Sequence, residues 1–214
     1  MDLKVCSIDE EGRYGGPQRR TIEIAKAIKL YGIQTHILFS IYDSERFANE
    51  LKKSSLDNIS IKITRLSLEP FIFFRYIFTF ISDILRIFNH LREINYDLVQ
   101  INGTPQYKGV IAAKLAGIPV VWIMEDTQMP FLIRIITRML AKIVARGIIV
   151  TGKGVYDYYI NDTILQTIPF AEIHAPVDTN IFNQKKIKPL YSMRKNKKKN
   201  IVSVSGISPV KGLE

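Results

Sequence analysis

Short apolar runs recur along the chain, and between them lie longer stretches whose apolar positions fall three or four apart. The runs predict strands at Leu3–Ile8, Gln34–Ser40, Ile59–Ile63, Asp97–Ile101, Val120–Met124 and Gly147–Val150, with a further extended piece near Ile168–Ile173. The intervening patterns predict helices over residues 17–31, 43–53, 70–93, 105–116, 130–145 and 152–160. Such alternation is the signature of an α/β fold, a Rossmann-like parallel sheet sandwiched by helices. The stretch "GVIAAKLAGIPVVWIM" shows one unit plainly. An alanine-rich helix ends at Gly117, which suits a left-handed cap, and Pro119 then opens the next apolar strand.

The stretch "PFIFFRYIFTFISDILRIFNHLRE", residues 70–93, predicts a helix that is apolar over most of its surface. Arg75, Thr79, Ser82, Asp83, Arg86, His90 and Glu93 form one narrow polar stripe on it. Arg75, Asp83 and Arg86 argue against a membrane span, which needs roughly 20 residues nearly free of charge. Two readings stay open: a helix packed between the sheet and its neighbours, or one resting residues 70–91 on a membrane surface near a lipid-borne substrate.

The rhythm holds over residues 1–183, which are read as one domain. Residues 184–199 hold eight basic residues and no acidic one, which accounts for eight of the ten net positive charges of the whole chain. The folded body is therefore nearly neutral. With Tyr191 alone interleaved and Pro189 within it, the run is read as a solvated linker, in preference to a surface for RNA or acidic lipid. "NIVSVSGISPVKGLE", residues 200–214, starts a fresh strand and loop that cannot bury its own apolar side chains. It reads as the opening of a second domain whose remainder is missing.

Apolar residues make up 47% of the chain and charged ones 23%, as in an ordinary globular protein. A single cysteine, Cys6, excludes an internal disulfide; a small core residue is the better reading of it than a nucleophile. The N-terminus is too polar for a signal peptide. Together these place the protein in the cytoplasm, at the inner face of the membrane if the long helix rests there. His36, His90 and His174 lack metal-ligand spacing and are read as structural, so no metal site is expected.

Candidate chemistry begins at "EEGRYGGPQRR", residues 10–20, between the first strand and the first helix. Gly12, Gly15 and Gly16 do not fit the G-x-G-x-x-G dinucleotide fingerprint, and no Gly-Lys-Ser/Thr follows to make a Walker A loop. A plain tight turn and an anion site at the helix N-terminus both remain open, the second reinforced by Arg13, Arg19 and Arg20.

Six separated segments, in order, resemble family 4 of the retaining glycosyltransferases. They are "GRYGGPQRRTIEIAKAIKLYGIQTHIL", "YDLVQINGT", "AAKLAGIPVVWIMEDT", "ARGIIVTGKGVYDYYI", "IHAPVDTNIF" and "IVSVSGISPVKGLE". The resemblance implies a GT-B architecture, two Rossmann-like domains facing each other across a cleft, with this chain as the acceptor-side domain and the start of the donor side. It implies transfer of a sugar from a nucleotide-sugar donor to a glycan or lipid-linked acceptor, with retention, no metal and no cofactor. In that frame Gly15, Gly16 and Lys211 approach the donor diphosphate. Arg13, Tyr14, Asn102, Gly103 and Thr104 border the acceptor, and Glu125 and Asp126 stand at the reacting sugar.

The chain also departs from the family pattern. Gln100 and Asn102 replace two histidines, Glu125 replaces the histidine usual near the reacting sugar, and Gly206 replaces an arginine that shares the diphosphate. Glu125 therefore reads either as a site residue or as a solvated loop acid. The paired glutamates that grip the donor sugar in the family are absent. A hexosyltransferase-type enzyme is expected of a full-length protein, and this chain alone is expected to be inactive. The alternative is a non-catalytic acceptor-binding module that needs a separate donor-binding subunit. A nicotinamide oxidoreductase shares the fold class but lacks the fingerprint.

Overall fold

The computed structural model describes residues 3–179, 182, 183 and 185. The chain divides into two compact units, Met1–Pro176 and Val177–Glu214. In the first, seven parallel strands form one sheet: β1 (Leu3–Asp9), β2 (Ile33–Ser40), β3 (Asn58–Ile61), β4 (Leu98–Asn102), β5 (Val120–Met124), β6 (Ala145–Val150) and β7 (Phe170–Glu172). Six α-helices alternate with them: α1 (Gly16–Lys29), α2 (Glu45–Lys53), α3 (Pro70–Ile94), α4 (Tyr107–Leu115), α5 (Phe131–Val144) and α6 (Lys153–Tyr159). In the second unit the described residues include a turn closed by the Phe182 N–H on the Asp178 carbonyl, at 2.8 Å. Except for Lys185, the expected linker at 184–199 and the expected second-domain start at 200–214 lie outside the described residues.

Spatial order in the sheet is β3-β2-β1-β4-β5-β6-β7. The chain builds outward from β1 to one edge, then returns through α3 to lay β4 on the other side of β1. Along β2 the side chains alternate between two cores. Ile37 and Phe39 join Ile22 and Ala25 of α1 and Phe47 and Leu51 of α2. Leu38 joins the larger core, which holds Ile84, Ile87 and Leu91 of α3, Val110 of α4, Ala141 of α5 and Tyr159 of α6. Helices α1 and α2 therefore cover one face and α3–α6 the other. The cap expected after α4 is present: Gly117 has φ +74°, and the Gly117 and Ile118 N–H groups return to the carbonyls of Lys114 and Ala113. Cys6 lies wholly in the core, where burial pushes its thiol up to about 12. His36 and His90 meet through the Tyr96 hydroxyl, at 3.3 and 3.1 Å.

Helix α3 turns its polar stripe inward over its first turns. Asp83 is buried and accepts from the Lys108 ammonium (2.6 Å), the Arg86 guanidinium (2.6 Å), the Thr79 hydroxyl (2.8 Å) and the Thr64 N–H (3.0 Å). The opposite side carries Phe71, Phe74, Phe78, Ile81 and Leu85, all exposed, with Phe78 at 84%. Farther along, Ile84, Ile87 and Leu91 pack into the core. An aromatic stripe faces outward because a buried ion-pair cluster occupies the inner face. Helix α5, on the same face of the sheet, exposes Leu132, Ile136, Met139 and Ile143 at the same kind of spacing. Among the described residues no helix is long and apolar enough to cross a membrane.

Candidate functional site

In a parallel sheet the ends of the strands that point at the following helices gather ligands, and they do so best where the strand order reverses. That reversal lies between β1 and β4. A cavity of about 390 Å³ opens there, lined by the end of β1 (Asp9), the loop before α1 (Glu11, Arg13, Tyr14, Gly15), Pro17 and Gln18 of α1, the segment after β4 (Asn102, Gly103, Pro105, Gln106) and the residues after β5 (Glu125, Asp126). Seven of the ten residues expected at the site thus border one space: Arg13, Tyr14, Gly15, Asn102, Gly103, Glu125 and Asp126. Thr104 is buried just behind it, its hydroxyl accepting from the Glu125 N–H at 3.3 Å. Gly16 is exposed at the first position of α1 and does not line the cavity. Lys211 and Gly206 lie outside the described residues.

The glycine loop divides its labour. Gly12 is a packing residue: a Cβ there would overlap the Tyr42 carbonyl oxygen and come within 2.8 Å of that of Ser40. Gly15 donates its N–H to Gln18 Oε1 at 3.0 Å. The N–H of Gly16 has no acceptor within the helix, as at any helix start, and a Cβ on Gly16 would meet nothing within 4 Å. We therefore expect Gly12→Ala to cost about 1–3 kcal/mol by overpacking and Gly16→Ala to leave the melting temperature within about 2 °C of the parent. Equal melting temperatures for the two variants would contradict this division.

Two arginines expected to favour an anion are engaged by carboxylates. Arg13 makes a two-toothed contact with Glu11, at 3.0 and 2.7 Å. Arg20 is buried and reaches across the site, donating to Glu125 Oε1 at 2.8 Å and to the Ile173 carbonyl at 3.1 Å. Burial raises the Glu125 carboxyl above its ordinary value, while the charge and hydrogen bond of Arg20 pull it back down. Glu125 is thus half-buried and paired, which excludes the reading of a freely solvated loop acid. Asp126 beside it is exposed.

Asn102 is buried, and its amide works within the sheet. It donates to the Ser7 hydroxyl (2.8 Å) and the Ile8 carbonyl (3.2 Å) and accepts from Gln100 (2.8 Å), which ties β4 to β1. Gly103 holds φ +100°, and its carbonyl accepts from the Trp122 indole at 2.9 Å, so the turn that shapes the cavity floor needs glycine. Tyr14 stacks at a tilt on Phe47 under the Arg46 guanidinium.

Sequence reading overlooked Asp9, Gln18 and Gln106. Asp9 is fully buried at the tip of β1; its Oδ1 accepts from Gln18 Nε2 at 3.0 Å and Gln106 Nε2 at 3.5 Å, and its Oδ2 has no partner. Burial first, then the nearby charges of Glu125, Glu11 and Glu10, hold its carboxyl well above the usual range. The available signal was an acid directly after an apolar run, at the carboxyl end of a parallel strand. Next to it, Glu10 turns away from the cavity, accepts from the Gly109 N–H at 2.8 Å and is pushed up to about 7 by burial.

The family model described as Glycosyltransferase Family 4 matches residues 14–180. No curated protein matches the chain. Solved structures of similar fold include MurG of Acinetobacter baumannii, at 17% identity and TM-score 0.55 over 80% of this chain and 44% of that one. The S. aureus MnaA–UDP structure matches at 13% and 0.60 over 90% and 51%. UDP-GlcNAc 2-epimerase from Neisseria meningitidis bound to UDP-GlcNAc matches at 14% and 0.56 over 78% and 45%. At these identities the likeness is one of fold, that of a GT-B domain. The chain spans about half the length of the solved structures it matches.

Proposed function

The chain belongs to Glycosyltransferase Family 4, and we propose that it is the acceptor-side half of an enzyme that moves a sugar from a nucleotide-sugar donor to a glycan or lipid-linked acceptor with retention. The observation that carries this reading is the single cavity at the β1/β4 reversal, bordered by the glycine loop, Asn102–Gly103 and Glu125–Asp126. Glu125, held by Arg20, would orient hydroxyls of the reacting sugar as a hydrogen-bond acceptor. Asp126 would stand on the open side. The first turn of α1, with the Gly16 N–H foremost, would face the donor diphosphate. Lys211 would meet it from a donor side that begins at residues 200–214, so the leaving group would be stabilised by amides and a cation with no metal.

A uridine-diphosphate sugar is the first donor to test, since two proteins of this fold were solved with UDP and with UDP-GlcNAc. Fold alone does not separate transfer from epimerisation, because one of those two is an epimerase. Transfer of labelled sugar from a panel of nucleotide sugars to a lipid or glycan extract, using the complete gene product, tests the reading. We expect the anomeric configuration of the donor to persist in the product, and Glu125→Gln to lower kcat/KM about 100-fold. Epimerised donor without transferred sugar would refute the assignment.

A lipid-linked acceptor is favoured by the outward aromatic stripe of α3, Phe71 to Leu85, and by the apolar stripe of α5. Both helices start on the side of the sheet that carries the carboxyl ends of the strands, where the cavity opens, so a protein resting on them at the inner face of the membrane would bring that side toward the lipid. Replacing Phe71, Phe74 and Phe78 by Ser is expected to reduce liposome flotation at least tenfold with the fold intact. Undiminished flotation would remove membrane contact from the proposal.

A further inference from the structure

The cavity that supports the proposed function is strongly one-sided in charge. Asp9, Glu11, Glu125 and Asp126 line it, against Arg13 alone. Arg13 is taken up by Glu11, and Glu125 is neutralised from behind by Arg20. Among the described residues no cation pairs with Asp9 or Asp126.

Asp9 cannot satisfy itself by turning its neighbours. Gln18 must accept the Gly15 N–H through Oε1, and Gln106 must accept the Glu10 N–H through Oε1, at 3.0 and 2.9 Å. Each amide NH₂ is thereby directed at Asp9, and both reach the same oxygen, Oδ1. Oδ2 stays buried and unpartnered in a residue that lines the cavity. A buried polar atom left in this way calls for a partner from outside the fold.

Chemistry narrows the partner. A phosphate or carboxylate would bring a further negative charge beside Asp9 and Asp126, the two lining acids that no arginine pairs with among the described residues. Among the described residues no set of three His, Cys, Asp or Glu side chains converges to hold a metal ion. An ammonium both donates to Oδ2 and supplies the missing positive charge.

We propose that this cavity takes an acceptor sugar carrying a free amine, its ammonium anchored on Asp9 Oδ2. The inference rests on the reading of the cavity as the acceptor site. Burial and the charges of Glu125, Glu11 and Glu10 raise the Asp9 carboxyl above its ordinary value when the cavity is empty. An ammonium at Oδ2 acts in the opposite sense, because a neighbouring positive charge favours the carboxylate. A neutral hydroxyl brings no such charge.

The test is a titration of the full chain with glucosamine, glucose, N-acetylglucosamine and glucose 6-phosphate. Calorimetry at pH 6, with saturation-transfer NMR for weak binding, gives the affinities. We expect glucosamine to bind at least tenfold more tightly than glucose or N-acetylglucosamine, and glucose 6-phosphate to bind weakest. Asp9→Asn should erase the preference for the amine; Asn keeps an acceptor for the two glutamines, so its melting temperature should stay near that of the parent. Equal affinities for glucose and glucosamine would overturn the inference and leave the sugar site standing. Binding of none of the four sugars would overturn the inference together with the reading of the cavity as a sugar site. The comparison of the four sugars on the parent protein decides the matter even where Asp9→Asn fails to fold.

Discussion

Lys108→Met is expected to destabilise the domain by about 3–5 kcal/mol, because it strands a buried carboxylate. Lys108 has no exposed surface. Its ammonium donates to Asp83 Oδ2 at 2.6 Å and to the Thr64 carbonyl at 2.8 Å, and lies 3.9 Å from the centre of the Tyr76 ring. Burial lowers the Lys108 ammonium from its ordinary value, while the Asp83 hydrogen bond and the charges of Glu10 and Asp83 pull it back up. Without the cation, Asp83 keeps, among the described residues, only Arg86 as a charged partner, itself half-exposed, and Glu10 loses the positive charge that lowers its carboxyl. The loss should appear in urea unfolding and as a melting temperature lower by about 10–15 °C. Asp83→Asn alone should also be costly, while the double variant should lose about 1–3 kcal/mol less than the two single losses added together. Strict additivity would mean that these side chains do not act as a unit.

The second large effect is expected at Arg20, and it depends on pH. Arg20→Met removes the cation that joins α1 to Glu125 and to the Ile173 carbonyl. Glu125 would then have burial raising its carboxyl with no arginine to oppose it. A carboxyl whose folded value lies above its unfolded one contributes stability below the unfolded value and loses it as pH rises through the folded value. The variant should accordingly cost about 2–4 kcal/mol at pH 8, where Glu125 is an unpaired buried anion, and less than half of that at pH 5, where it takes up a proton. Arg20→Lys should recover part of the loss by restoring charge without the second hydrogen bond. Urea unfolding at the two pH values reads this directly; equal losses at both would show that Arg20 matters for packing and not for the charge on Glu125.

The element order was legible throughout residues 3–172. Every predicted strand and helix is present, with ends shifted by at most two residues, as in β3, which stops at Ile61 and not at Ile63. Seven of the ten expected site residues meet at one cavity, because residues at the carboxyl ends of neighbouring parallel strands come together whatever their separation along the chain. The misses concern partners. Arg20 and Glu125 are 105 positions apart, and nothing in either local pattern announces that they pair. Gly12, Gly15 and Gly16 look alike in the chain, yet one packs against the Ser40–Tyr42 backbone, one bonds Gln18 and one stays open.

Periodicity and punctuation are local properties, read out by hydrogen bonds and burial within a few residues, and so the alternation of strands and helices was determined by the sequence alone. Which face of α3 turns inward was decided only by the tertiary structure. Its apolar side was the natural candidate for the core, but the Lys108 ammonium delivered by α4 drew Asp83 and Thr79 inward and left Phe71, Phe74 and Phe78 outside. The same holds for Asp9: its position after an apolar run is local, whereas its unpartnered oxygen follows from two glutamines 88 residues apart, each committed to a backbone N–H. Charge and hydrogen-bond satisfaction act through space, and only the folded chain establishes which groups are close enough to compete.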